Sequence, residues 1–101
     1  MYKAKLVRSA NTYTISLPAT RELAQLVGKY VVPRVKNGNI IFYIWDEDVS
    51  TRMRVRTKKN RIYITVPKSL VKKLGLRPGS TFPIRLELGK PSKLIVLLSA
   101  E

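Results

Sequence analysis

A strand that ends in proline, followed by a short helix and a glycine stop, limits what this chain can become, because the motif is written into it twice. Its clearer copy is NRIYITVPKSLVKKLGLRPG at positions 60–79. Ile62, Ile64 and Val66 alternate with polar residues, the period of a strand with one buried face. After Pro67 the spacing becomes helical through Leu70, Val71 and Leu74. Proline suits a first helical position, where its missing N–H has no partner to lose. Gly75 supplies the left-handed residue that ends a helix cheaply, and Pro78-Gly79 marks a turn.

The same order of elements occurs earlier. Tyr2 to Arg8 mostly alternates, Ser9-Ala10-Asn11 is a turn signal, and Tyr13, Ile15 and Leu17 share one face of Thr12–Leu17. That pattern predicts a hairpin. Pro18 follows, and Leu23, Leu26 and Val27 predict a helix over 19–27 with those three residues inward and Gly28 as its stop. At a shift of 49, Asn11, Tyr13, Ile15, Leu17 and Pro18 fall on Asn60, Ile62, Ile64, Val66 and Pro67, and Leu6 falls on Val55. Within the helix the shift becomes 47, so Leu23 falls on Leu70, Val27 on Leu74 and Gly28 on Gly75.

Two more strands follow each helix. The first pair is 30–35 and 39–45 around Lys36-Asn37-Gly38, the strongest hairpin signal in the chain. The second is 81–88 and 93–98 around 89–92. Each copy therefore reads β-β-α-β-β. We expect one mainly β domain over 1–101, made of repeats 1–45 and 51–99 joined by the polar segment 46–50, because 101 residues bury too little for two separate cores. The core is expected to draw on Ile15, Leu17, Leu26, Ile62, Ile64, Val66 and Leu74.

Charge narrows the function. The chain has 20 Lys and Arg against 6 Asp and Glu, a formal net of +14, which points to a polyanionic partner. Residues 50–101 hold 13 basic and 2 acidic side chains, net +11, leaving +3 for residues 1–49. Arg52, Arg54, Arg56 and Lys58 alternate with Met53, Val55 and Thr57, which puts four cations on one face of a strand, and Lys59 and Arg61 extend the cluster. Like charges so placed repel unless a polyanion lies close. Guarding a sheet edge needs only one or two Lys. Lys3 and Lys5 fall on Arg52 and Arg54 at the shift of 49 and predict a weaker second copy of this ribbon.

Other classes fit less well. The chain has no Cys and no His, so thiolate chemistry, Cys-type zinc sites and the commonest general base are missing. Glu22, the run Asp46-Glu47-Asp48, Glu87 and Glu101 make neither a metal cluster nor an acid/base pair. We expect no enzyme, no metal and no cofactor. No stretch is long and apolar enough to span a membrane, and MYKAKLVRSA lacks the core of a signal peptide, so a cytoplasmic protein is expected, with nucleoid association only if its polyanionic partner is DNA. The aromatic residues fall mostly in strand patterns, where they serve packing. Lys68, Lys72 and Lys73 read as the solvent face of the second helix.

TVPKSLVKKLGLRPGS, with its strand, proline, short helix and LG, resembles the AbrB/MazE-type (SpoVT-AbrB-like) swapped-hairpin DNA-binding family. ANTYTISLPA in the first copy is similar to the MazE branch, with Ala10 in the usual glycine position; Lys59 stands there in the second copy. The likeness spans nearly the whole chain. It implies an AbrB-like swapped-hairpin β-barrel, built here from one chain as a pseudo-dimer; a related cradle-loop or double-psi barrel is the alternative. It also implies that the first strand, its turn and the helix start face DNA. By position this adds Arg8, Asn11, Arg56, Lys58, Lys59, Asn60 and Arg61, with Lys72 from the helix. The family's basic residue shortly before the proline is replaced by Ser16 and Thr65. Asn11 and Asn60 are candidates for reading bases, and equally for plain turn residues. The function implied is double-stranded DNA binding, as a transcriptional regulator or chromatin-like binder. An antitoxin-type autorepressor and an RNA-binding module are the alternatives, and further association of barrels stays open.

Overall fold

The structure, a computed structural model, describes residues 2–46 and 53–98, with the backbone alone for Met53 and Arg54. Most of the joint at 46–50, and Arg52, lie outside the described residues. The first alternating stretch forms β1 (Tyr2–Ser9) and β2 (Thr12–Pro18). Ala4, Leu6, Ile15 and Leu17 are all at most 2% exposed, so the residues between them face outward. Then come α1 (Arg21–Ala24), β3 (Tyr30–Lys36) and β4 (Asn39–Trp45). The second half gives β5 (Met53–Arg54), β6 (Arg56–Lys58), β7 (Arg61–Val66), α2 (Lys68–Leu74), β8 (Thr81–Glu87) and β9 (Ser92–Val96). Neither helix is long and apolar enough to cross a membrane.

Two details of the helices differ from the sequence reading. α1 is one turn long, not 19–27. It starts at a Thr20 cap, whose hydroxyl accepts from the Leu23 N–H at 3.2 Å. It ends because the next bonds tighten to i→i+3, from Leu26 N–H to the Leu23 carbonyl and from Val27 N–H to the Ala24 carbonyl. The tighter winding turns Val27 outward, at 37% exposure, while Leu26 stays buried.

The second correction concerns glycine. Gly75 is the left-handed cap of α2, with φ 64°. Gly28 is not its counterpart. The Gly28 N–H donates to the Val55 carbonyl (2.9 Å), and the Gly79 N–H donates to the Leu6 carbonyl in the same way. The return bonds also match, Val55 N–H to the Lys29 carbonyl and Leu6 N–H to the Ser80 carbonyl, each 2.9 Å. With Leu6 equivalent to Val55, Gly28 is equivalent to Gly79. The second copy has an additional turn, 75–78, between helix and strand.

All strands join one antiparallel sheet in the order β5-β3-β4-β9-β8-β1-β2-β7-β6. Its two ends, β5 and β6, are consecutive pieces of chain separated only by Val55. The sheet therefore curls into a barrel-like form whose ends meet there. The copies interleave: β1 pairs with β8, β5 with β3, β2 with β7 and β4 with β9. Ile15 lies opposite Ile64, and Leu17 opposite Ile62 as Tyr13 is opposite Val66. Exchanging the copies at the shift of 49 thus leaves this register unchanged.

The interior contains Leu6, Leu17, Leu26, Phe42, Val55, Ile62, Ile64, Leu94 and their neighbours, all nearly inaccessible. Burying a side chain of this size stabilises by roughly 1.5–3 kcal/mol. Of the residues expected inside, Leu74 is only half-buried and packs at the core's margin.

The tips of the two first hairpins are strained. Each is a two-residue loop, Ala10-Asn11 and Lys59-Asn60, and φ is +54° at Ala10, +50° at Lys59 and +62° at Asn60. A left-handed residue with a Cβ costs about 1–2 kcal/mol, which glycine avoids, though it is freer in the unfolded chain. Ala10→Gly and Lys59→Gly are each expected to raise the thermal midpoint by about 2–6 °C. Thermal unfolding followed by circular dichroism checks this; lower midpoints would remove strain as the explanation of these turns.

Candidate nucleic-acid interface

β1, β2, β7 and β6 lie side by side, and their inward positions are taken by the core. The alternate positions make an outer face. Its registers align Lys5, Ser16, Tyr63 and Arg56 in one row across the strands. Two residues along, Pro18, Arg61 and Lys58 form a second row, with Lys3 two residues before Lys5 on β1. At about 4.8 Å per strand, the first row spans about 14 Å from Lys5 to Arg56. Lys3, Lys5, Arg56, Lys58, Lys59 and Asn60 are exposed, and Arg61 is half-buried.

Cations from both copies therefore meet at one end of one face. Antiparallel pairing brings Lys5 level with Ser16 and Lys3 level with Pro18, and so beside Arg56 and Lys58 of the second copy. A shallow groove crosses the face, lined by Val7, Thr14, Arg56, Lys58 and Tyr63. Tyr63 was missed as a site residue. Its place between Ile62 and Ile64, both inward, was the signal that it faces out.

Arg61 has a structural task as well. Its Nε donates to the Ser16 hydroxyl at 2.8 Å and its Nη2 to the Ser16 carbonyl at 3.2 Å. Ser16, at 5% exposure, is a buried polar residue satisfied by this strap. The guanidinium has five N–H donors, so three are left for a ligand.

The other candidates lie elsewhere. β2 and β7 run antiparallel, so the tip carrying Asn11 and the tip carrying Asn60 point in opposite directions, about 26 Å apart along the strands. α2 leaves β7 at Val66, which is opposite Tyr13, so Lys72 belongs to the Asn11 end. Arg8 is there too, with its Nε donating to the Ala10 carbonyl (3.3 Å) and its guanidinium 5.8 Å from the centre of the Tyr13 ring. Arg8, Asn11 and Lys72 are thus separated from the main cluster. The Arg54 backbone pairs with Tyr30 in β5, next to the place where the sheet closes.

Nothing described neutralises the main cluster. The three described acidic residues are engaged elsewhere: Glu22 accepts from the Tyr2 hydroxyl (3.3 Å), Asp46 pairs with Lys29 (3.0 Å) and Glu87 with Arg85 (3.9 Å). Among the described residues, no ion pair involves Lys3, Lys5, Arg56, Lys58, Lys59 or Arg61. The arrangement offers several hydrogen-bonding cations to one extended anion, and no cluster of three acidic side chains that could hold a metal is found among the described residues.

Comparison with family models finds no match to this chain, and comparisons with curated proteins and with solved structures find none either.

Proposed function

We propose that the chain is a double-stranded DNA-binding protein, a transcriptional regulator or chromatin-like binder, that takes the phosphate backbone on the outer face of β1, β2, β7 and β6. The observation that carries this reading is the gathering of Lys3, Lys5, Arg56, Lys58 and Arg61 from both copies at one end of that face, without a described acidic partner. Lys and Arg on phosphates supply affinity, while Asn60 and the free donors of Arg61 at the hairpin tip are the groups suited to base edges. We further read the sheet as a one-chain form of the swapped-hairpin barrel. The exchange of partners between copies, β1 on β8 and β5 on β3, supports that reading.

The test is a salt titration of duplex binding. Log affinity is expected to fall with log salt at about 0.9 per phosphate contact, so four or five contacts give a slope near −4. Absence of binding at low salt, or a flat slope, would refute the reading. Competition that favours duplex RNA over duplex DNA would move it to an RNA-binding module.

A further inference from the structure

A second group of cations lies at the opposite end of the molecule, on α2. Lys68, Lys72 and Lys73 are exposed, while Leu70, Val71 and Leu74 turn toward the core. Lys72 and Lys73 stand in the last turn of this 7-residue helix, where its dipole favours cations, but Lys68 gains nothing from its place. Lys68 and Lys72, at i and i+4, repel each other. Lys68 also stands in the first turn, where the helix dipole disfavours a cation, and α2 has no side-chain cap and no acid there. α1 has the stabilising alternatives in the corresponding place, the Thr20 cap and Glu22. Among the described residues, none of the three lysines has an ion-pair partner.

The two groups are well apart. The row Pro18, Arg61, Lys58 lies about 17 Å along the strands from the level of Tyr13, where α2 leaves the sheet after Val66. The Cα envelope measures 30 × 30 × 28 Å. Phosphates held at the two groups are about two Debye lengths apart at physiological salt, so their mutual repulsion is partly screened.

Resting on the DNA-binding reading above, we propose that α2 is a second DNA-binding surface, so that one chain bridges two duplex segments, one on the β1-β2-β7-β6 face and one on Lys68, Lys72 and Lys73. The occupant of α2 is a phosphate backbone, met by lysine ammonium groups as point charges without a base-reading partner. Bridging is therefore independent of sequence at this end and sensitive to salt.

A capture assay tests it. One duplex is immobilised on beads, protein is added, and retention of a second, fluorescent duplex is measured beside affinity for a single duplex. The full chain is expected to retain the second duplex. The Lys68→Ala, Lys72→Ala, Lys73→Ala variant should lose at least about tenfold in retention, with single-duplex affinity within about threefold of the parent. Alanine is a strong helix former, so an unchanged circular dichroism spectrum is expected. Three results would overturn the proposal while leaving DNA binding intact: a parent that binds one duplex but captures no second, a variant that still captures, which points to self-association, or a variant whose two losses run in parallel, which puts α2 on the same duplex as the first face. A parent that binds no duplex at low salt removes the underlying reading and the proposal together.

Discussion

Replacing Lys5, Arg56 and Lys58 together by alanine is expected to flatten the salt dependence of duplex binding by roughly 2–3 in log–log slope and to weaken binding about 100-fold at 0.1 M salt. All three side chains are exposed, on one face, and free of ion pairs among the described residues. Their loss should change folding stability by no more than about 0.5 kcal/mol. The control is removal of Lys36, the exposed last residue of β3, and Lys90, exposed between β8 and β9, which lowers net charge without touching the face. It should leave the slope close to that of the parent. Equal losses in both variants would assign affinity to the protein's overall field and not to the outer face.

Val55→Asp is expected to abolish cooperative unfolding altogether. Val55 is 2% exposed, and its backbone N–H and carbonyl both bond across to the segment before β3. A carboxylate there lies in the shared core without a partner, or takes up a proton at a cost. Either outcome is worth several kcal/mol, against a total stability of about 5–15 kcal/mol for a domain. Leu6→Asp, at the equivalent place in the other copy, should do the same. Calorimetry or near-ultraviolet circular dichroism would show it. A variant at either position that keeps a sharp transition near the parent's would mean that the sheet does not depend on this closure.

Strand faces were legible because local chemistry determines them. In β7 the alternation of Ile62, Ile64 and Val66 with polar neighbours has only one reading as a half-buried strand, and Asn37-Gly38, with φ of +54° and +79°, is the turn its sequence announces. The repeat was legible in β2 and β7 for the same reason. It slipped at the glycines, because Gly28 and Gly75 share a residue type and a place after a helix but not a backbone partner. α1 was drawn too long since Leu23, Leu26 and Val27 fit a helical face, while the i→i+3 bonds that end it leave no mark in composition.

The site was legible in its parts and not in its assembly. Which cations face outward follows from period two. Which of them meet depends on the antiparallel pairing of β2 with β7, a contact between residues nearly fifty positions apart, and this places Lys3 and Lys5 beside Arg56 and sends Asn11 to the far end. The strap from Arg61 to Ser16 was hidden for the same reason. Ser16 looked like a missing cation, yet it is the acceptor that holds one in position.

The register centred on Ile15 and Ile64 has a consequence for any extended partner. Two identical subunits arranged about that centre would carry the same side chain on either side of it, and would suit an inverted repeat. Here the exchange that superposes the copies sets Val7 on Arg56, Ser9 on Lys58 and Thr12 on Arg61. Among the described side chains of the face, cations stand to one side of Ile15 and hydroxyls and a valine to the other. The surface has a heading, and turning the protein end over end gives a different complex, so a target for this chain need not be a palindrome.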